Sequence, residues 1–193
     1  IITNMKIEEI LGKTTVEAVK LSDGQELKAD IVLVGVGVRP NVKLAEEAGL
    51  EVNRDGIVVN SSMQTSDKNI FACGDCAIKW SFFTKKSSGL RLASIASNEA
   101  RIAGANLFEI YRHNRGVIGI FTTAIGELVL ANAGLTEKAA KEEGFEVCCG
   151  QAEAPDRHPG SMPGMSQMKV KLVFNKNTGE IIGGHAIGGP SVG

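Results

Sequence analysis

Eight consecutive residues, Ile31-Val-Leu-Val-Gly-Val-Gly-Val38, carry no polar side chain. Such a run has no face to offer water, so as a strand it must be covered on both sides. That is the position of a central strand in a sheet flanked by helices. Arg39-Pro40-Asn41 ends the run, since proline has no amide hydrogen to give a ladder. The feature points to an α/β fold with a strand over 31–38. It is also far too short to span a bilayer.

The flanking segments extend this reading. Thr14 to Leu21 alternates, Ser22-Asp23-Gly24 is a turn, and Gln25 to Lys28 pairs back. A short amphipathic helix is predicted over Val42 to Ala48, closed by Gly49. Leu50 to Asn53 and Ile57 to Asn60 read as a hairpin about Asp55-Gly56. Lys79 to Gly89 reads as a loop packing its own aromatics, Trp80, Phe82 and Phe83. Leu92 to Arg112 is the clearest helix, with Leu92, Ile95, Ala96, Ile102, Ala103, Leu107 and Ile110 near one face.

Between hairpin and helix lies Ile70-Phe-Ala-Cys73-Gly74-Asp75, read as a short buried strand ending in a small residue and an acid. Glycine lets a ligand approach the backbone, and an Asp at a strand's carboxyl end can accept from the hydroxyls of a sugar or ribityl chain. By itself a Gly-Asp pair after an apolar run is equally the mark of a plain turn.

The pattern shifts at Gly116, where a domain boundary is placed, and the remainder reads as α+β. Glu127 to Ala133 is a strand, Thr136 to Glu143 a helix closed by Gly144, and Phe145 to Ala152 a strand. After a Pro/Gly/Met-rich loop over Pro155 to Gly164, Met168 to Asn175 and Glu180 to Ile187 form a hairpin about Asn177-Thr178-Gly179.

Composition narrows the function classes. A net charge of -1 over 193 residues and a pI near 6.4 give no electrostatic footprint for nucleic acid. Cys73, Cys76, Cys148 and Cys149 do not form a secreted disulfide framework, so a cytoplasmic location is expected. Cys73-Gly-Asp-Cys76 has CxxC spacing, but it sits at a strand end rather than opening a helix, and vicinal Cys148-Cys149 is a poor second pair for zinc. Buried structural thiols are the reading adopted. His113, His158 and His185 share no ligand spacing.

In order, these blocks resemble the carboxyl-side part of the pyridine nucleotide-disulfide oxidoreductase family, in its NADH oxidase and coenzyme A-disulfide reductase branch. Asp30 to Asn41 is similar to the exit from the NAD domain. Glu51 to Asn60, Thr65 and Ile70 to Asp75 resemble the return to the FAD domain. Ala93 to Arg101 resembles the helix whose amino end faces the flavin. Phe121-Thr-Thr to Glu137 and Lys169 to Gly184 resemble the dimerisation domain.

The resemblance implies an incomplete FAD/NAD(P)-binding, Rossmann-like portion followed by an α+β dimerisation domain. Residues 1–38 would be the tail of the NAD-binding domain, 39–115 the second half of the FAD-binding domain, and 116–193 an incomplete dimerisation domain lacking its last helices. It implies FAD and NADH as cofactors, a homodimer in the full-length protein, and a disulfide or dioxygen as acceptor, with no nucleic acid or membrane partner. Gly74 and Asp75 would meet the ribityl chain, Leu92, Ala93 and Ser94 the flavin ring, and Gly37 the nicotinamide nucleotide. Gly35 and Gly37 are read equally well as close packing in a strand.

A helix amino end is partially positive and would favour the negative charge that hydride transfer brings to the ring. The GxGxxG motifs and the redox cysteine of the family are absent from these residues, so no catalytic residue is assigned and the chain is expected to be an inactive carboxyl-side fragment. His158-Pro-Gly-Ser-Met-Pro-Gly164 lacks the family's aromatic residues, which leaves the acceptor open. Two other readings stand: a component of a nitrite- or ferredoxin-reductase-type flavoenzyme, and a cofactor-free module that dimerises through the sheet of residues 116–189.

Overall fold

Ser22-Asp23-Gly24 reverses the chain as the sequence predicts, with the Gly24 amide on the Leu21 carbonyl and the Gln25 amide on Asp23 Oδ1, each at 2.9 Å. It joins β2 (Ala18–Leu21) to β3 (Glu26–Lys28), and β1 (Ile7–Leu11) completes an antiparallel sheet in the order β1-β2-β3. Val19 and Leu21 are its buried side chains. In this computed structural model, which describes residues 1–192, these strands belong to a compact unit, Ile1–Val38, and the chain from Arg39 onward forms another.

The run 31–38 is not the covered strand its composition predicts. It forms no ladder, and Ile31, Leu33 and Val36 are 86%, 94% and 89% exposed. The three strands of the unit pair among themselves and offer this segment no neighbour, so the requirement for cover on two faces is unmet.

The second unit opens with α1 (Lys43–Glu47), followed by the two-residue strands β4 (Val52–Asn53) and β5 (Gly56–Ile57), which pair about the expected turn. Ile70 to Cys73 does not form a strand. Only Phe71 makes a bridge, to Gln64, and the Ile70 and Ala72 backbones bond within the loop to Thr65 and Met63. The Ile70 amide also turns back to the Asp67 carbonyl, so these backbone groups are taken up inside the loop and not by a neighbouring strand. The segment Lys79 to Gly89 is more ordered than expected: β6 (Lys79–Trp80) pairs with β7 (Ser87–Ser88), and the Phe82 and Phe83 rings meet edge to face at 5.2 Å.

α2 (Ala93–Ala105) stops short of Arg112. Asn106 is the reason, because its buried side chain accepts from the Tyr111 and Arg112 amides and draws the chain out of the helix. Ile102 and Ala103 pack with Ile57, Met63, Ala72 and Ile78 in the first core. Burying a large aliphatic side chain such as Ile or Met stabilises by about 1.5–3 kcal/mol.

β8 (Ile120–Ile125) and β9 (Leu128–Gly134) lead to α3 (Glu137–Glu142), then β10 (Val147–Pro155), β11 (Gln167–Asn175) and β12 (Ile181–Gly188). The five strands form an antiparallel sheet in the order β10-β11-β12-β9-β8. Thr136 caps α3, its Oγ1 accepting from the Ala139 amide at 3.1 Å. The helix packs Ala140 onto Val173 and Ile182, the second core. Among the described residues no helix is long and apolar enough to cross a membrane.

Candidate functional site

Gly74 opens a single 3-10 turn, Gly74–Cys76, with φ of +79°, a conformation glycine adopts without the steric cost of a Cβ. Three side chains hold this turn. Glu99 of α2 accepts from the Gly74 amide through Oε2 at 2.9 Å. Lys79 of β6 donates Nζ to the Gly74 carbonyl and, at 2.9 Å, to that of Ala77. Arg91 donates Nε to the Asp75 carbonyl at 3.2 Å and Nη2 to the Asp55 carbonyl at 3.0 Å.

The Asp75 backbone is thus fixed while its carboxylate, among the described residues, takes part in no hydrogen bond. Arg91 is followed directly by Leu92, the residue that caps α2 with extended φ and ψ. Among the described residues no side chain caps that end, and Ala93 and Ser94 of the first turn are exposed. A free carboxylate and an uncapped helix amino end are therefore joined through Arg91. The former suits a polyol hydroxyl, the latter an electron-rich ring edge. Gly74, Asp75, Leu92, Ala93 and Ser94 are brought together in this way. Gly37 lies in the first unit, exposed, with φ of +88°.

Glu99 and Lys79 were not singled out by the sequence reading. The signal was present: Ile95, Glu99, Ile102 and Asn106 succeed one another on one face of α2, so a charge sits inside the buried stripe. Nothing in the sequence marked Lys79 as its partner, since it lies in a segment read as a polar loop.

Cys73 and Cys76 are half-buried free thiols, with Cys76 Sγ on the Cys73 carbonyl at 3.4 Å. Burial, and then the Glu99 charge, push the Cys73 thiol up, the opposite of what a redox CxxC needs. Cys148 and Cys149 are exposed rather than buried, because β10 is an edge strand. Among the described residues no group of three or more His, Cys, Asp or Glu side chains is arranged to hold a metal ion. His185 lies against the Leu135 carbonyl at 3.2 Å, and His113 against Ser61 and Ser62.

A separate groove of about 790 Å³ runs across the five-stranded sheet. Its floor traces two rows of register partners, Thr123, Leu130, Ile187, Lys169, Glu153 and Phe121, Asn132, His185, Lys171, Gln151.

Residues 1–100 match the family described as pyridine nucleotide-disulphide oxidoreductase, and residues 120–193 match its dimerisation domain. The chain belongs to the pyridine nucleotide-disulphide oxidoreductase family. Its α/β fold is accordingly a partial nucleotide-binding portion followed by a dimerisation domain. It is 33% identical over 186 residues to an NADH oxidase of Methanocaldococcus jannaschii, a match that covers 96% of this chain and 41% of that protein.

Among solved structures it is similar to a NAD-dependent persulfide reductase from A. fulgidus, with a TM-score of 0.88 and 30% identity over 97% of this chain and 35% of that one. It is also similar to a FAD-dependent pyridine nucleotide-disulphide oxidoreductase from Desulfovibrio vulgaris, with a TM-score of 0.77 and 29% identity over 98% of this chain and 44% of that one. The chain spans less than half the length of these family relatives.

Proposed function

We propose that the chain is the carboxyl-side portion of an FAD- and NADH-dependent oxidoreductase of the NADH oxidase or coenzyme A-disulfide reductase type. The observation that carries this reading is the clamped Gly74–Asp75 turn, which leaves a free carboxylate beside the uncapped amino end of α2. The observed groups fit a flavin: Asp75 holds the ribityl chain, and the first-turn amides at Ala93 and Ser94 face the ring. Bound FAD supplies the two-electron carrier between NADH and the acceptor, a disulfide or dioxygen. In this reading Gly37 lies beside the nicotinamide nucleotide.

Residues 1–38 close the NAD-binding domain, 39–115 complete the FAD-binding domain, and 116–193 dimerise. The groove over the sheet supports a homodimer, and the parent works in the cytoplasm. No residue of this chain has a catalytic role, so the piece alone does not turn over.

The test uses the full-length protein and the 193-residue piece side by side. The former is expected to bind FAD and oxidise NADH with coenzyme A disulfide or dioxygen present, and the latter to consume no NADH with FAD added. A full-length protein that dimerises without flavin affinity would replace this reading with that of a cofactor-free interaction module.

A further inference from the structure

Glu99 and Lys79 form an ion pair at 2.9 Å with each side chain only 1% exposed. A buried pair of this kind adds little net stability over apolar side chains of similar volume, because desolvation of both charges offsets their attraction. Glu99 Oε1, moreover, is buried without a hydrogen-bond partner among the described residues, a further cost. Stability is thus a poor account of the pair. Geometry is a better one.

The two side chains take up both backbone groups of Gly74, Glu99 the amide and Lys79 the carbonyl. They fix the peptides on either side of a residue held at φ of +79°, and the next residue is Asp75. Rotation of either peptide would swing the Asp75 carboxylate away from its present aspect.

We infer that Glu99 and Lys79 are positioning residues for FAD, holding Gly74 so that Asp75 meets the ribityl chain; the inference rests on the flavoprotein reading above. Neither touches the flavin, and both act through Asp75.

The test is FAD affinity of the full-length protein by fluorescence titration, with the visible spectrum of the bound flavin and the urea midpoint of the apoprotein read alongside. Lys79→Met with Glu99→Met removes the clamp and leaves the Gly74 amide and the Ala77 carbonyl without their side-chain partners, so some loss of stability accompanies it. The expected result is a lowered unfolding midpoint and, in the protein that remains folded, FAD binding weakened about tenfold or more with an altered flavin spectrum. Glu99→Gln alone is expected to weaken FAD in the same sense, and serves if the double variant does not fold.

In an Asp75→Ala background the further effect of Glu99→Gln should fall to about twofold or less, since both act through one contact. Wild-type FAD affinity in either clamp variant overturns the inference while leaving the flavoprotein reading intact. A wild-type protein that binds no FAD overturns both.

Discussion

Asn106 Nδ2 donates to the Ser62 carbonyl at 3.1 Å, joining the carboxyl end of α2 to the loop that precedes the Gly74 turn. The same amide bonds the Arg112 carbonyl, and its oxygen receives the Tyr111 and Arg112 amides. One buried side chain therefore ends the helix and anchors the segment up to Arg112.

Replacing Asn106 with Leu leaves the Ser62 carbonyl unsatisfied in a buried place. The expected loss is about 1–3 kcal/mol, seen as a lower urea midpoint. Asn106→Asp, which keeps the acceptor but loses the donors, should be destabilising as well. An unchanged midpoint in both would mean that water replaces the amide without cost.

Asp75→Ala should weaken FAD binding by about tenfold or more in the full-length protein, through loss of a charge-assisted hydrogen bond. The apoprotein should unfold at the wild-type midpoint, because the carboxylate supports nothing in the described residues. A fall in stability without a fall in FAD affinity would assign Asp75 to the fold instead.

Glu137 ties α3 to the sheet and is held down to about 2 from 4.5, first by Lys141 and then by Lys171 and Cys149. A lowered carboxyl stabilises the folded state above its unfolded value, and that contribution is lost as pH falls. The stability difference between wild type and Glu137→Gln should thus be full above about pH 5 and vanish toward about pH 2. Denaturation curves at stepped pH would reveal it, and a pH-independent difference would remove Glu137 from the account.

Gly56 takes φ of +139°, and a Cβ there would stand 2.6 Å from the Cys76 carbonyl oxygen. Backbone, not a mobile side chain, is in the way, so Gly56→Ala must separate β5 from the Gly74–Cys76 turn. It should destabilise by about 1–3 kcal/mol and weaken FAD binding together. Retention of both properties would show that the turn tolerates displacement.

Locally coded features were legible in the sequence. Thr136 and Gly144 delimit α3, and Ser22-Asp23-Gly24 and Asn177-Thr178-Gly179 make the turns they signal, because each depends on residues a few positions apart. Features that need distant partners were not. The 31–38 run has strand composition but no neighbouring strand to pair with, and Ile70 to Cys73 bonds within its own loop. The helix end at Asn106 depends on Ser62 and Arg112, which propensity does not see. At the candidate site, Gly74, Asp75 and the start of α2 were named from their pattern, whereas the Glu99–Lys79 link joins a helix to a segment that looked like a loop.

The burial of Lys79 has a use at the bench. Amine-reactive reagents label solvent-borne ammonium groups, and one that is 1% exposed and engaged by three oxygens is shielded from them. Its acylation rate reports how often this region of the protein opens. Mass spectrometry of that single lysine would time the breathing of the ligand cradle without any spectroscopic handle on the ligand itself.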